Sequence, residues 1–143
     1  EKSEKMTEKE NKTQEIYMEY KTIDEHIKQL QKQLEVLTSH LVEMHSTYSS
    51  LEDLDKIKSG KEIFVPISSG IFAKGAIKDT SELLVNVGAN VVVAKDIASA
   101  KKLIQHQIEE MKKVHKRMLE ELEKMAQSAA QLEVQLQGLM PEE

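Results

Sequence analysis

Two apolar stripes of nearly equal length, each advancing in gaps of three and four, constrain this sequence more than any other feature. The first runs Ile16, Tyr20, Ile23, Ile27, Leu30, Leu34, Leu37, Leu41, Met44, Tyr48 and Leu51 without a break. That spacing is the a/d signature of a coiled coil, so a helix burying one narrow stripe is expected. The rhythm slips at Leu54 and Ile57, and Ser59-Gly60 supplies a stop. The second stripe runs Ile104, Ile108, Met111, His115, Met118, Leu122, Met125, Ala129, Leu132, Leu136 and Leu139. Ile97 continues its frame with Lys101 between, and Val114 is an alternative to His115 as the seam residue. Asp96 is placed to cap the helix start, and Pro141 closes the far end. Folding the chain at its midpoint pairs Ile57 with Ile97 and Ile16 with Leu139, which predicts an antiparallel helical hairpin. At the helix rise, arms of roughly 40 residues reach on the order of 60 Å.

Between the stripes the residues change type. The segments EIFVPI (62–67), GIFAKGAIKD (70–79), LLVNVG (83–88) and NVVVAK (90–95) are rich in β-branched residues and separated by turn signals. Two consecutive β-hairpins are expected. Pro66 cannot donate to a ladder, so its strand should be an edge or carry a bulge, while Gly70 marks a turn and Gly75 a bend. Two such hairpins have little core of their own, and open apolar edges pair with other chains. Ile63, Val65, Ile67, Ile71, Phe72, Val85, Val87, Val91 and Val93 are therefore the expected oligomerisation residues, with Leu84 and Val92 also too apolar to leave wet. A small closed barrel within one chain is the alternative. The expected class is α+β: a long antiparallel coiled-coil hairpin with two β-hairpins inserted at the helix-connecting end. Its segments are a polar, disordered lead-in (1–12), a first coiled-coil helix (13–59), the β insert (60–95) and a second helix (96–140).

The totals agree. One domain is expected of 143 residues, and aromatics at 3% are thin material for a compact core. A net charge of −5, with no basic segment, argues against nucleic-acid or anionic-membrane binding. The absence of Cys removes disulfides and thiolate chemistry and fits a reducing interior, hence a cytoplasmic location. No apolar run is long enough to span a membrane. The start lacks the apolar core of a signal peptide, and the missing initiator Met points to a trimmed or engineered end.

Catalytic patterns fail one by one. GIFAKG has the glycine spacing of a phosphate loop, but Ala76 and Ile77 stand where Lys and Ser/Thr are required. His26, His40, His45, His106 and His115 form neither HExxH nor the Glu-x-x-His of di-iron bundles. The adjacent pairs Glu109-Glu110 and Glu120-Glu121 diverge by about 100° on a helix and read as solvated surface. SSG lacks the frame of a nucleophile elbow. No catalytic residue, metal site or cofactor is expected. Met111, Met118 and Met125 recur in the seam as core packing, whereas Met18 and Met140 lie free of it beside other apolar residues. If the last turns splay, Ile16, Tyr17, Met18, Tyr20, Leu132, Leu136, Leu139 and Met140 expose an apolar end.

The centre of the chain carries a more specific signal. Gly60-Lys61-Glu62, Val65-Pro66-Ile67, Val85-Asn86-Val87-Gly88 and Val93-Ala94-Lys95, set between two heptad helices, resemble the α class of the prefoldin family. The resemblance covers all but the polar lead-in. NVVVAK departs from it, since many relatives place aromatics before the Val. Four strands fit the α class, whose β-class counterparts carry one hairpin. The resemblance implies a hexamer of two α and four β subunits, joined by a double β-barrel platform from which coiled coils hang. It implies capture of unfolded proteins at the coiled-coil tips without ATP, and delivery to a group II chaperonin. The eight apolar end residues would then contact clients. The alternatives are a structural coiled-coil spacer or adaptor for one folded partner and, more remotely, an RNA-binding helical hairpin.

Overall fold

The computed structural model describes residues 2–139, with side chains from residue 7 onward. In chain order the elements are α1 (Lys2–Asp55), β1 (Glu62–Ser68), β2 (Ile71–Ala76), β3 (Leu83–Gly88), β4 (Val91–Lys95) and α2 (Ile97–Leu139). They form two compact units. One joins the residues up to Ser39 with those from Lys112, and the other is His40–Met111.

Burial follows the heptad pattern residue by residue. In the first unit Ile16, Leu30, Leu34 and Leu132 are buried, and Ile23, Ile27, Leu37, Met118, Leu122 and Met125 are half-buried. Their helical neighbours one or two positions away are almost all exposed, as a one-stripe interface requires. The second unit repeats the arrangement with Ile97, Ala100 and Ile108 buried against half-buried Leu41, Met44, Tyr48 and Leu51. Leu54 and Ile57, where the spacing slips, are still half-buried. His115, not Val114, occupies the seam: His115 is half-buried and Val114 is exposed.

One expectation fails at the start of the chain. Residues 1–12 were expected to be a disordered polar lead-in, yet α1 already runs from Lys2. The stretch KSEKMTEKENK is rich in Lys and Glu, which lose little side-chain entropy in a helix. The Thr13 hydroxyl also donates to the Lys9 carbonyl at 2.7 Å, keeping its polar group on the helix surface.

Both helix ends at the β insert are closed by local bonds. At the end of α1, Lys56 N–H donates to the Asp53 carbonyl and Ile57 N–H to the Leu54 carbonyl, both at 3.1 Å, tightening the last turn. Gly60 then adopts φ +85°, where an L side chain is strained. At the start of α2, Asp96 is the cap: Ser99 N–H donates to its Oδ1 at 2.7 Å, and Ala100 N–H to its carbonyl at 3.0 Å. Hydrogen bonds from the Ser99 hydroxyl and backbone hold the Asp96 carboxyl below its ordinary value of 3.8.

The insert is two antiparallel hairpins, β1–β2 and β3–β4, in separate two-stranded sheets, so the described residues form no closed barrel. In the first, Pro66 pairs with Phe72 and Ser68 with Ile71, leaving Ile67 as the extra residue of a bulge. The irregularity falls directly after Pro66, as the missing N–H anticipated. Gly70 makes the turn at φ +78°. Gly75 is not a bend. It lies within β2 opposite Ile63, and a Cβ there would stand 3.1 Å from Val65 Cγ2, so the glycine answers a close approach. The predicted second strand, 70–79, is shorter in the structure because Asp79 turns the chain by accepting from Ser81 N–H at 2.8 Å.

The second hairpin has the same construction, with Val87 as its bulge residue between Asn86 and Gly88. Its loop, Ala89-Asn90, has φ +50° and +59°, the signature of a type I′ turn. Ala89 pays for that conformation with a Cβ that meets the backbone. Ala89→Gly should therefore stabilise the hairpin by roughly 0.5–1 kcal/mol, the relieved strain less the glycine entropy. Slower amide exchange across β3 and β4 is the readout, and unchanged exchange would refute the strain. At the helix cap, a depressed carboxyl pKa stabilises above about 3.8 and loses that effect as pH falls through the folded value. Asp96→Ala should lower the melting temperature by a few degrees at pH 7, and the deficit should shrink below about pH 4. A deficit independent of pH would mean the charged cap is not the cause.

Candidate functional site

Two exposed apolar surfaces stand out, one in each unit. Among the described residues no group of His, Cys, Asp and Glu is disposed to hold a metal ion. The concavities between the helices are open grooves lined by mixed polar and apolar side chains.

In the unit His40–Met111, the hairpins leave most of their apolar side chains in solvent. Of the expected oligomerisation residues, Val65, Ile67, Ile71, Phe72, Val87 and Val91 are exposed, while Ile63, Val85 and Val93 are half-buried. The pairing explains the split. Ile63, Val65, Ala73 and Gly75 share one face of the first hairpin, and half-buried Ile63 and Gly75 lie on it. Phe64, Pro66, Phe72 and Lys74 share the opposite face, and all four are exposed. In the second hairpin, half-buried Leu83, Val85, Val93 and Lys95 lie on one face, and Leu84, Asn86, Val92 and Ala94 on the other, exposed one. Phe64, at 66% exposure, belongs to this surface although sequence reasoning did not single it out. Leu84 at 78% is the most exposed large apolar side chain among the described residues. Strict alternation along EIFVPI would have found Phe64, but both faces are apolar and the alternation carries no polar marker. Apolar surface on both faces of a two-stranded sheet is not stable in water alone.

In the other unit, the structure divides the eight expected end residues. Ile16 and Leu132 are buried, and Tyr20, Leu136 and Leu139 are half-buried, so these five pack the seam. Tyr17 and Met18 are exposed, 51% and 62%, because the helix turns them about 100° and 200° away from Ile16. Lys21, one turn on, places its ammonium 6.0 Å from the Tyr17 ring centroid. Met140 lies outside the described residues. Where α1 and α2 meet here, Lys12, Ile16, Gln135, Gly138 and Leu139 line a concavity of about 370 Å³. Gly138 borders it, and nothing stands within 4 Å of where its Cβ would be. Val134, also exposed, was missed because it sits outside the seam frame.

Comparison with known proteins gives this architecture a family. The model of the prefoldin subunit matches residues 23–142. The chain belongs to the prefoldin family. Prefoldin α subunits are among its relatives. It is 26% identical to prefoldin subunit alpha of Thermofilum pendens, over 80% of this chain and 89% of that protein. It is 31% identical to prefoldin subunit alpha 1 of Thermococcus kodakarensis, over 73% of this chain and 72% of that protein. A filamentous PFD from Methanocaldococcus jannaschii, solved by cryo-EM, is similar in fold with a TM-score of 0.58 at 21% identity. That likeness covers 88% of this chain and 96% of the other. The resemblance carried by the central motif is therefore the right one, and four strands accompany the α class as expected. This is a chaperone-associated family.

The division of the end residues can be checked. Leu132→Ala should cost ~2–3 kcal/mol by removing buried volume, whereas Tyr17→Ser with Met18→Ser should leave stability within about 0.5 kcal/mol. Denaturant unfolding of both variants separates the two classes, and equal losses would contradict it.

Proposed function

We propose that this chain is the α subunit of a hexamer with four β-class subunits, acting as an ATP-independent holdase. In this reading the hairpins complete a shared β platform with strands of neighbouring subunits. Unfolded clients are held at the helix ends around Tyr17, Met18 and the concavity beside Gly138. The client then passes to a group II chaperonin in the cytoplasm.

The observation that carries the proposal is the apolar surface on the outward faces of both hairpins, centred on Phe64, Phe72 and Leu84. A chain that leaves such faces wet is suited to be one part of a larger assembly. Membership of the family supports the chaperone role. The client end suits its task by chemistry that selects little: an exposed Tyr and Met and an open groove offer non-directional apolar contact. Several weak ends held on one platform raise avidity without any tight single site. Ile16, Tyr20, Leu132, Leu136 and Leu139 serve by holding that end together, and they reach a client only where the last turns open.

Two variants of the full chain, each mixed with a β-class partner, test the halves separately. Phe64→Ser with Leu84→Ser should abolish the hexamer in native mass measurements. Removal of residues 1–20 and 130–143 should keep the hexamer and abolish suppression of aggregation for several unrelated unfolded proteins. An intact hexamer that suppresses none of them would end the holdase reading, and a stoichiometric complex with one folded protein would favour an adaptor. Loss of assembly on truncation would reverse the roles assigned to the two regions.

A further inference from the structure

The apolar stripes that hold α1 against α2 repeat every seven residues, and such a repeat does not choose its own register. Sliding one helix by a heptad, about 10 Å, sets Leu, Ile and Met against Leu, Ile and Met again. A tight turn often fixes the register of a helical hairpin, but here residues 56–96 separate the helices, with two β-hairpins between. Something within the seam has to do it.

The α2 seam has two members that are not apolar, Lys101 and His115, two heptads apart, and each meets a matching group on α1. The Lys101 ammonium lies 5.4 Å from the centroid of the Tyr48 ring. His115 Nε2 lies 3.4 Å from Thr38 Oγ1, within hydrogen-bond distance, either group being able to donate. Both Lys101 and His115 are half-buried, as members of the seam, and each has its partner across it.

We propose that Lys101 on Tyr48 and His115 on Thr38 are register keys that lock the helices against slipping by a heptad. Movement of α2 toward the N-terminus of α1 would lay Lys101 beside Leu41, which has no π face, and the Thr38 hydroxyl beside Ile108. Movement the other way would carry Ile97 and Ala100, now buried, past the end of α1 at Asp55. The keys block the first slip and the helix end blocks the second. A polar residue at a single seam position is known to fix register in this manner at some cost in stability.

The chain has no Cys, so introduced pairs report register without interference. Leu30 and Met125 line one concavity, and a slip of one heptad in the first direction would put Met118 in the place of Met125. In an otherwise unaltered chain, a short bismaleimide should link Leu30→Cys to Met125→Cys within one molecule and leave Leu30→Cys with Met118→Cys unlinked. With Lys101→Leu and His115→Leu added, the Leu30/Met118 pair should become linked in a sizeable fraction of molecules, while helicity by circular dichroism is retained or increased. If that pair stays unlinked in the helical double variant, the apolar stripe alone sets the register and the proposal is wrong. If the double variant loses helicity, the same comparison in Lys101→Met with Thr38→Val decides the question on the same criterion.

Discussion

Everything in this chain hangs on a core one residue wide. Two helices that meet along a single stripe bury about one side chain in three or four, and among the described residues only Ile16, Leu30, Leu34, Ile97, Ala100, Ile108 and Leu132 are buried. Such a seam is weak at any one layer and gains its strength by repetition. Its geometry also limits chemistry. A catalytic site needs polar groups converging in a shielded cavity, whereas a two-helix seam leaves open grooves whose polar groups remain solvated. What such a scaffold can offer is surface.

The β insert answers to the opposite physics. Its turns and bulges are well made: Gly70 and Ala89-Asn90 supply the positive φ values, and Ile67 and Val87 absorb the extra residue beside each turn. Its side chains have nowhere to go. A sheet of two strands with apolar residues on both faces and two open edges lacks the layer it should pack against. Local geometry is satisfied and burial is not, which is the condition of a folding unit that is completed by neighbours. This is why the same residues read as a hazard in a monomer and as an interface in an assembly.

Much of this was legible in the sequence because both periodicities are strict. The three-and-four spacing named most of the buried stripe, though not Ala100 or the half-buried Leu54 and Ile57 where the rhythm slips, and Pro66 announced the bulge that follows it. The failures have physical causes. Residues 2–12 were read by polarity, but helix propensity depends on side-chain entropy, and Lys, Glu and Met favour the helix there. Gly75 was read as a bend because sequence cannot distinguish a glycine needed for its φ from one needed for close approach to Val65. Phe64 escaped notice since a strand apolar on both faces gives no alternation to read. At the helix ends, spacing marks Ile16 and Leu132 as apolar but cannot say whether the last turns stay closed. In the structure both residues are buried.

The closed seam changes what the end of the hairpin can present. Because a helix advances 100° per residue, Ile16 can face the partner helix only if Tyr17 and Met18 turn away from it. Residues at those two positions gain nothing from the seam, so a polar pair there would serve stability equally well and solubility better. An exposed Tyr-Met step beside a buried Ile therefore has no account in packing. Gly138 lines the groove next to Ile16 and Leu139, but it stands one residue before the end of α2, where a glycine is ordinary. The departure from what the coiled coil needs is therefore the Tyr-Met step. It has an explanation if that end must be both held together and apolar toward solvent, with the seam supplying the first property and the residues beside it the second.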